Sequence, residues 1–264
     1  MSTAPQREPL AIAHVADRLA TITLNRPARH NALTPELLLD LRAAIARGVD
    51  DGAAALVLQG AGRSFSTGGD VAQFSARTGE ELREYAKWIV GELNETILDL
   101  LALPIPVVAA VHGPVTGGSL GLVLAADIVV ASPHAWFQPF YTEVGFAPDG
   151  GWTALLPERV GRARALAWQL ANTRIAAPEA LATGVFTEIH EDPQARSREL
   201  AADLLARPAG SLARTKAHLA VDLARVRADL ERERQEFIAQ IMTEEARSGM
   251  AAFLGRIPRE EGRR

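Results

Sequence analysis

Two short, almost wholly apolar runs, Ala55 to Gln59 and Val107 to Val111, each pass into a glycine-rich turn and then into helix. This repeated order restricts the fold more than any other feature of the chain. The turns are Phe65-Ser66-Thr67-Gly68-Gly69-Asp70 and His112-Gly113-Pro114-Val115-Thr116-Gly117-Gly118-Ser119. Strands this apolar must be buried, which calls for layered α/β architecture. Glycine in the turns lets backbone come close to a ligand. N–H groups at a helix start lack internal acceptors and can bind a carbonyl oxygen that turns negative during reaction, worth roughly 3 kcal/mol or more. The plain alternative is that each turn only makes a tight corner. Neither matches the phosphate-loop or dinucleotide fingerprints.

The remaining elements fit the same layering. Ile12 to Leu24 alternates as two short strands about Asp17-Arg18. Thr34 with Pro35 marks a helix start before Leu37, Leu38, Leu41, Ala44 and Ile45 at helical spacing. Glu80 to Leu103 reads as a long amphipathic helix closed by Pro104 and Pro106, Ile128 to Ala131 as a strand, and Gly161 to Leu170 and Pro178 to Thr183 as helices. From Pro193 to Met250 the chain is almost wholly helical, and its charged run Glu231 to Arg234 reads as a solvated helix face.

Composition excludes several functions. The 264 residues carry a net charge of -4, too acidic for a nucleic acid or an anionic membrane as main partner. No cysteine is present, which removes disulfides, thiolate ligands and a cysteine nucleophile and fits a reducing cytoplasm. No metal is expected, because no His, Asp or Glu cluster has ligand spacing. The most apolar stretch, Pro104 to Ala131, is broken by Pro106, His112, Pro114 and Asp127 and reads as buried strand, loop and helix, so no membrane span is expected.

Asn25-Arg26-Pro27-Ala28-Arg29-His30-Asn31-Ala32-Leu33, Phe65 to Asp70, Ala109-Ala110-Val111-His112-Gly113 with Gly117-Gly118, and Pro148-Asp149-Gly150-Gly151 follow one another in a particular order. In that order and spacing the chain resembles the enoyl-CoA hydratase/isomerase (crotonase) superfamily over roughly residues 10–258. The resemblance implies a crotonase-like spiral of repeated β-β-α units with a helical C-terminal trimerisation region. Residues 1–195 would form the core with the acyl-CoA site, and 196–264 would serve oligomerisation and cover the CoA. It implies an acyl-CoA thioester substrate, a homotrimer or dimer of trimers, and no separate cofactor, coenzyme A being part of the substrate.

By resemblance, the N–H donors that hold the thioester oxygen fall on Thr67 and Gly118. The two glutamates of the hydratases would fall on Gly121 and Tyr141, so both are missing, although Glu143 lies close in sequence. Asp149 resembles the aspartate of the ring-epoxide and dienoyl-CoA isomerases, which moves protons along an acyl chain, and also the nucleophile of the 4-chlorobenzoyl-CoA dehalogenases. Phe140, Phe146 and Trp152 nearby would raise its pKa. Tyr141 is a candidate donor to substrate and His112 a candidate helper. For the coenzyme, Arg29 and His30 occupy the family's nucleotide loop, Phe65 and Asp70 belong to the first turn, with Asp70 also readable as a helix N-cap, and Phe253 and Arg256 resemble tail residues that reach a CoA on an adjacent subunit. Isomerase-type proton transfer by Asp149 is the leading expectation. A hydratase, a hydrolase or dehalogenase, and a non-catalytic acyl-CoA-binding protein stay open. Val71 to Val90 is expected to supply pocket walls.

Overall fold

The computed structural model describes residues 8–256; positions 1–7 and 257–264, the two ends of the expected core and C-terminal regions, lie outside the described residues. β1 (Ala11–Ala16) and β2 (Leu19–Leu24) form the expected hairpin, with Asp17 and Arg18 both at positive φ, 50° and 63°. Two left-handed residues in succession match the twist of the flanking strands. The Thr34 hydroxyl accepts the Leu37 N–H at 3.3 Å and starts α1 (Pro35–Asp50). Then come β3 (Ala55–Gly60), the short α2 (Val71–Ser75), the long α3 (Gly79–Ala102) and β4 (Val107–Val111). The second glycine turn carries β5 (Pro114–Thr116) and leads into α4 (Leu120–Leu124), β6 (Ile128–Ala131), β7 (Trp136–Gln138) and α5 (Tyr141–Val144). α6 (Leu156–Val160), α7 (Arg162–Leu170), β8 (Ile175–Ala176), α8 (Ala177–Ala182) and β9 (Glu188–Ile189) complete the mixed part. Four helices close the chain: α9 (Pro193–Leu205), α10 (Ala209–Leu219), α11 (Leu223–Ile241) and α12 (Glu244–Arg256).

The large sheet has the order β1-β2-β3-β4-β6-β9 and is parallel from β2 onward, while β5, β7 and β8 make a second, smaller sheet. Single bridges, Leu33 with Gly69 and Ser66 with Val115, extend that second ladder back toward the first turns of the chain. Each circuit thus adds a strand to the large sheet, a short piece to the second ladder and then a helix, which is a spiral.

Side chains alternate across a strand, so the apolar runs must feed two cores. Leu56, Leu58, Val107, Ala109 and Val111 join the main core, whereas Ala55, Val57, Val108, Ala110 and Val130 pack with Ala201 of α9. α9 lies across β3, β4 and β6, so residues 195 and 196 are consecutive within one helix that covers the sheet. α11 runs along α3, and α12 packs on α2 and α5. α10 buries none of its residues within the chain.

Candidate active site

The two glycine turns meet backbone to backbone. A Cβ on Gly68, which sits at φ +75°, would lie 2.6 Å from the Thr116 carbonyl oxygen. The turn after Asp149 packs as closely: a Cβ on Gly150, at φ +60°, would lie 2.4 Å from the Gly118 oxygen. The Trp152 indole N–H also donates to the Gly117 oxygen at 2.8 Å. Three glycine-containing segments far apart in sequence are therefore registered on one another through positions that only glycine fits.

They open onto a cavity of about 1130 Å³. Arg29 and His30 line it at a solvent end, the Arg29 side chain being 53% exposed. At the interior end stand Ile89 and Leu93 of α3 with Phe74, Phe146 and Phe237, whose ring centroids are 5.2 to 5.8 Å apart. The expected stretch, Val71 to Val90, does supply Val71, Ala72, Phe74 and Ile89 to the wall. Thr67, Gly118, Tyr141 and Asp149 line the same cavity.

Gly118 is the middle residue of a 3-10 turn, Gly117–Ser119, and outside that turn its N–H meets no backbone acceptor among the described residues. The Thr67 N–H is engaged, donating to the His30 oxygen at 3.2 Å. That bond is at the long end of the normal range, so an enolate oxygen is the stronger acceptor.

Asp149 is 7% exposed, and its carboxyl crowds Gly118: a Cβ there would come within 2.8 Å of Oδ1. The Tyr141 hydroxyl donates to the same oxygen at 2.6 Å. Burial pushes the Asp149 pKa up to about 7; Glu233 also raises it, while the Tyr141 hydrogen bond pulls it down. Tyr141 itself is driven well above the ordinary phenol range by burial and by Asp149, so it stays protonated and can only donate. Phe140, just before it, is held at φ 63° with its N–H on the Asn172 side-chain oxygen at 2.9 Å. A bulky residue there costs of order 1–3 kcal/mol, and the position fixes where Tyr141 begins its helix. Removing the donor raises the Asp149 pKa further. Tyr141→Phe is therefore expected to move the acid limb of the kcat/KM profile to higher pH, which initial rates across pH 5–9 check; a limb moved to lower pH would exclude Tyr141 as the donor to the carboxylate.

Other residues named from sequence stand differently. Asp70 occupies the N-cap position of α2 but makes no side-chain cap. Its buried carboxylate instead holds Arg26 at 2.9 Å and Arg29 at 3.1 Å, which corrects the capping reading and shows how the exposed Arg29 is steered toward the cavity. His30 lines the cavity, with Nδ1 3.0 Å from the Ser64 hydroxyl. Phe65 is fully buried in the main core, and its ring does not line the cavity. Phe253 lies on the cavity of its own chain, edge-on to Phe140 at 5.9 Å, rather than reaching outward. Arg256 is off the wall of its own chain's cavity and paired with the exposed Glu143. His112 is also off the wall, its Nε2 3.0 Å from the Gly62 oxygen, and burial lowers its pKa. At Gly121 a Cβ would strike the Gly150 oxygen at 2.3 Å, so the backbone turn after Asp149 fills the space that a glutamate there would need.

Glu233 departs from the solvated helix face that the charged run predicts: it is 4% exposed and faces inward from α11. Its carboxylate accepts the Gly151 N–H at 2.8 Å, the Thr153 N–H and hydroxyl each at 2.6 Å, and the Ala154 N–H at 2.9 Å. The signal was present: Val226, Leu230, Phe237 and Ile241 make a buried stripe, and Glu233 falls on it at helical spacing.

A spiral α/β chain with paired glycine turns beside a buried carboxyl defines a class of enzyme, and comparison with known proteins places it. The family model for enoyl-CoA hydratase/isomerase matches residues 15–260, and the chain belongs to that family. It is 34% identical over 202 residues to 4-chlorobenzoyl coenzyme A dehalogenase-2 of Arthrobacter sp, covering 75% of this chain and 73% of that one. It is 30% identical to 1,2-epoxyphenylacetyl-CoA isomerase of Escherichia coli (strain K12) over 251 residues, 93% and 95% of the two chains. The crystal structure of an enoyl-CoA hydratase/isomerase from Mycobacterium paratuberculosis superposes with a TM-score of 0.85 at 30% identity, covering 92% of this chain and 98% of that one. No helix among the described residues is long and apolar enough to cross a membrane.

Proposed function

We propose that this chain is an acyl-CoA isomerase that moves a double bond by proton transfer through Asp149. The observation that carries this reading is the Asp149 carboxyl itself: buried, raised to about 7, and set against Gly118 of the second glycine turn. The thioester oxygen would sit between the N–H groups of Thr67, released from His30, and Gly118. The Asp149 carboxylate takes a proton from a carbon beside the conjugated system; the C–H pair moves toward the thioester oxygen, and the Asp149 carboxyl, exchanging its proton with water, then protonates another carbon. A base with a pKa near the working pH is well matched to both halves of such a step. Arg29, steered by Asp70, offers a cation to a coenzyme phosphate, and the phenylalanine cluster suits an apolar acyl group. A homotrimer or dimer of trimers belongs to the proposal, supported by α10, which has no buried face within the chain, and so does a cytoplasmic location, in keeping with the cysteine-free sequence.

Water addition by paired glutamates is disfavoured by the closed space at Gly121. Gly121→Glu is accordingly expected to give poorly folded or inactive protein rather than a hydratase, followed by thermal melting and by the ultraviolet absorbance of a 2-enoyl-CoA. A stable variant that hydrates 2-enoyl-CoA would refute the steric argument. The likeness to a dehalogenase supports a second reading, in which Asp149 attacks an aryl carbon and forms an ester. A panel of 2-enoyl, 3-enoyl, aryl-acetyl and halo-aryl CoA thioesters separates the two, with products read by mass and double-bond position. A shifted bond at unchanged mass supports the isomerase; loss of halide with a transient mass increase on Asp149 supports the nucleophile.

A further inference from the structure

Glu233 takes no part in the proton transfer just described, yet it is among the most heavily hydrogen-bonded side chains of the site. It reaches across from α11, 82 residues from Gly151 in the chain. All of its partners donate: Oε1 receives the Thr153 N–H and hydroxyl and the Ala154 N–H, and Oε2 receives the Gly151 N–H. Burial raises the Glu233 pKa and the hydrogen bonds from Thr153, Gly151 and Ala154 pull it down; an ionised carboxylate, with acceptor sites on both oxygens and no proton to place, is the form that fits four donors. Those N–H groups belong to the residues that directly follow Asp149, where the glycines leave the backbone little intrinsic stiffness.

We propose that Glu233 is a positioning residue acting through Asp149: by holding the N–H groups of Gly151, Thr153 and Ala154, it fixes the turn that aims the Asp149 carboxyl at the acyl chain. The inference rests on the reading of Asp149 as the reacting group. α11 also carries Phe237, one turn beyond Glu233 on the same buried stripe and on the cavity wall, so a single helix shapes the acyl pocket and places the base. Glu233 works electrostatically as well. The titratable groups acting on Asp149 are Tyr141 from α5, which lowers its pKa, and Glu233 from α11, which raises it; the second glycine turn and α3 bring the uncharged Gly118 and Leu93 to the same place.

The test compares wild type, Glu233→Gln and Glu233→Asp in the full-length protein. Steady-state kinetics is combined with a carbon-13 NMR titration of labelled aspartate carboxyls, the Asp149 signal being assigned by its loss in Asp149→Asn. Glutamine keeps the size but removes the charge and puts an amide N–H₂ against one of the donors. The expected result is a drop in kcat of about 10²-fold with KM within about threefold, and an Asp149 titration midpoint below that of wild type. Aspartate keeps the charge but is one methylene shorter, so kcat falls about tenfold while the Asp149 midpoint stays near the wild-type value. An unmoved midpoint and a kcat within twofold of wild type in Glu233→Gln would overturn the proposal; if that variant does not fold, a wild-type kcat in Glu233→Asp overturns it. The titration is independent of which reaction is catalysed. A wild type that isomerises no thioester would therefore reject the isomerase reading while the comparison of midpoints still decides on Glu233.

Discussion

Asp149→Asn is expected to lower kcat by about 10³-fold and to leave KM within about threefold. Asparagine has the same shape and still offers Oδ1 to the Tyr141 hydroxyl, so the packing against Gly118 is kept while the base is lost. Stability carries a second signature. The folded pKa of Asp149, about 7, lies above the ordinary 3.8, so folding favours the protonated carboxyl. The stability it contributes is complete below the unfolded value and is lost as pH rises through 7. Asp149→Asn removes that loss, so the variant is expected to melt no lower than wild type at pH 8, even though it is nearly inactive. A kcat within tenfold of wild type would mean that another group takes the proton.

Gly150→Ala is expected to damage fold and activity together. Its φ of +60° is in the left-handed region, and the new Cβ would face the Gly118 oxygen at 2.4 Å and Cα at 2.6 Å. Both obstacles are backbone, so no rotamer change relieves them, and the two turns must separate. Such overpacking costs about 3 kcal/mol, which corresponds to a Tm lower by roughly 10 °C for a chain of this size. Because the separation carries Asp149 away from Gly118, kcat is expected to fall by at least about 10²-fold. Thermal melting and steady-state kinetics check both, and a variant with wild-type Tm would show that the turns do not pack as described.

The parts of this site that were legible in the sequence are those with local chemistry. Ala55 to Gln59 and Val107 to Val111 read as buried strands because every apolar side chain had to find one of two cores, and they divide between those cores as a period of two requires. Thr34 and Pro35 announced α1 because a cap is a property of adjacent residues. The small strands β7, β8 and β9 and the four-residue α5 left little trace, being too short for periodicity to accumulate. What stayed hidden depends on contacts distant in sequence. Asp70 could not be told from a helix cap without knowing that Arg26 and Arg29 fold over it. Phe65, inside a functional motif, points to the core because its neighbours Ser66 and Thr67 supply the ladder and the cavity wall. Glu233 is concealed by a charged run, Glu231 to Arg234, in which only its place on the Val226-to-Ile241 stripe distinguishes it from its neighbours.

In the proposed mechanism Asp149 exchanges a proton with a carbon of a thioester whose enolate is held between the two glycine turns. Its most direct test is incubation of the enzyme with an acyl-CoA in heavy water, following deuterium entry by mass and NMR in wild type and Asp149→Asn. Deuterium is predicted to appear on the carbon next to the thioester carbonyl, or two carbons further along, and to be lost in the variant. Exchange at the wild-type rate in Asp149→Asn, or turnover of the thioester with no deuterium on carbon, would contradict it.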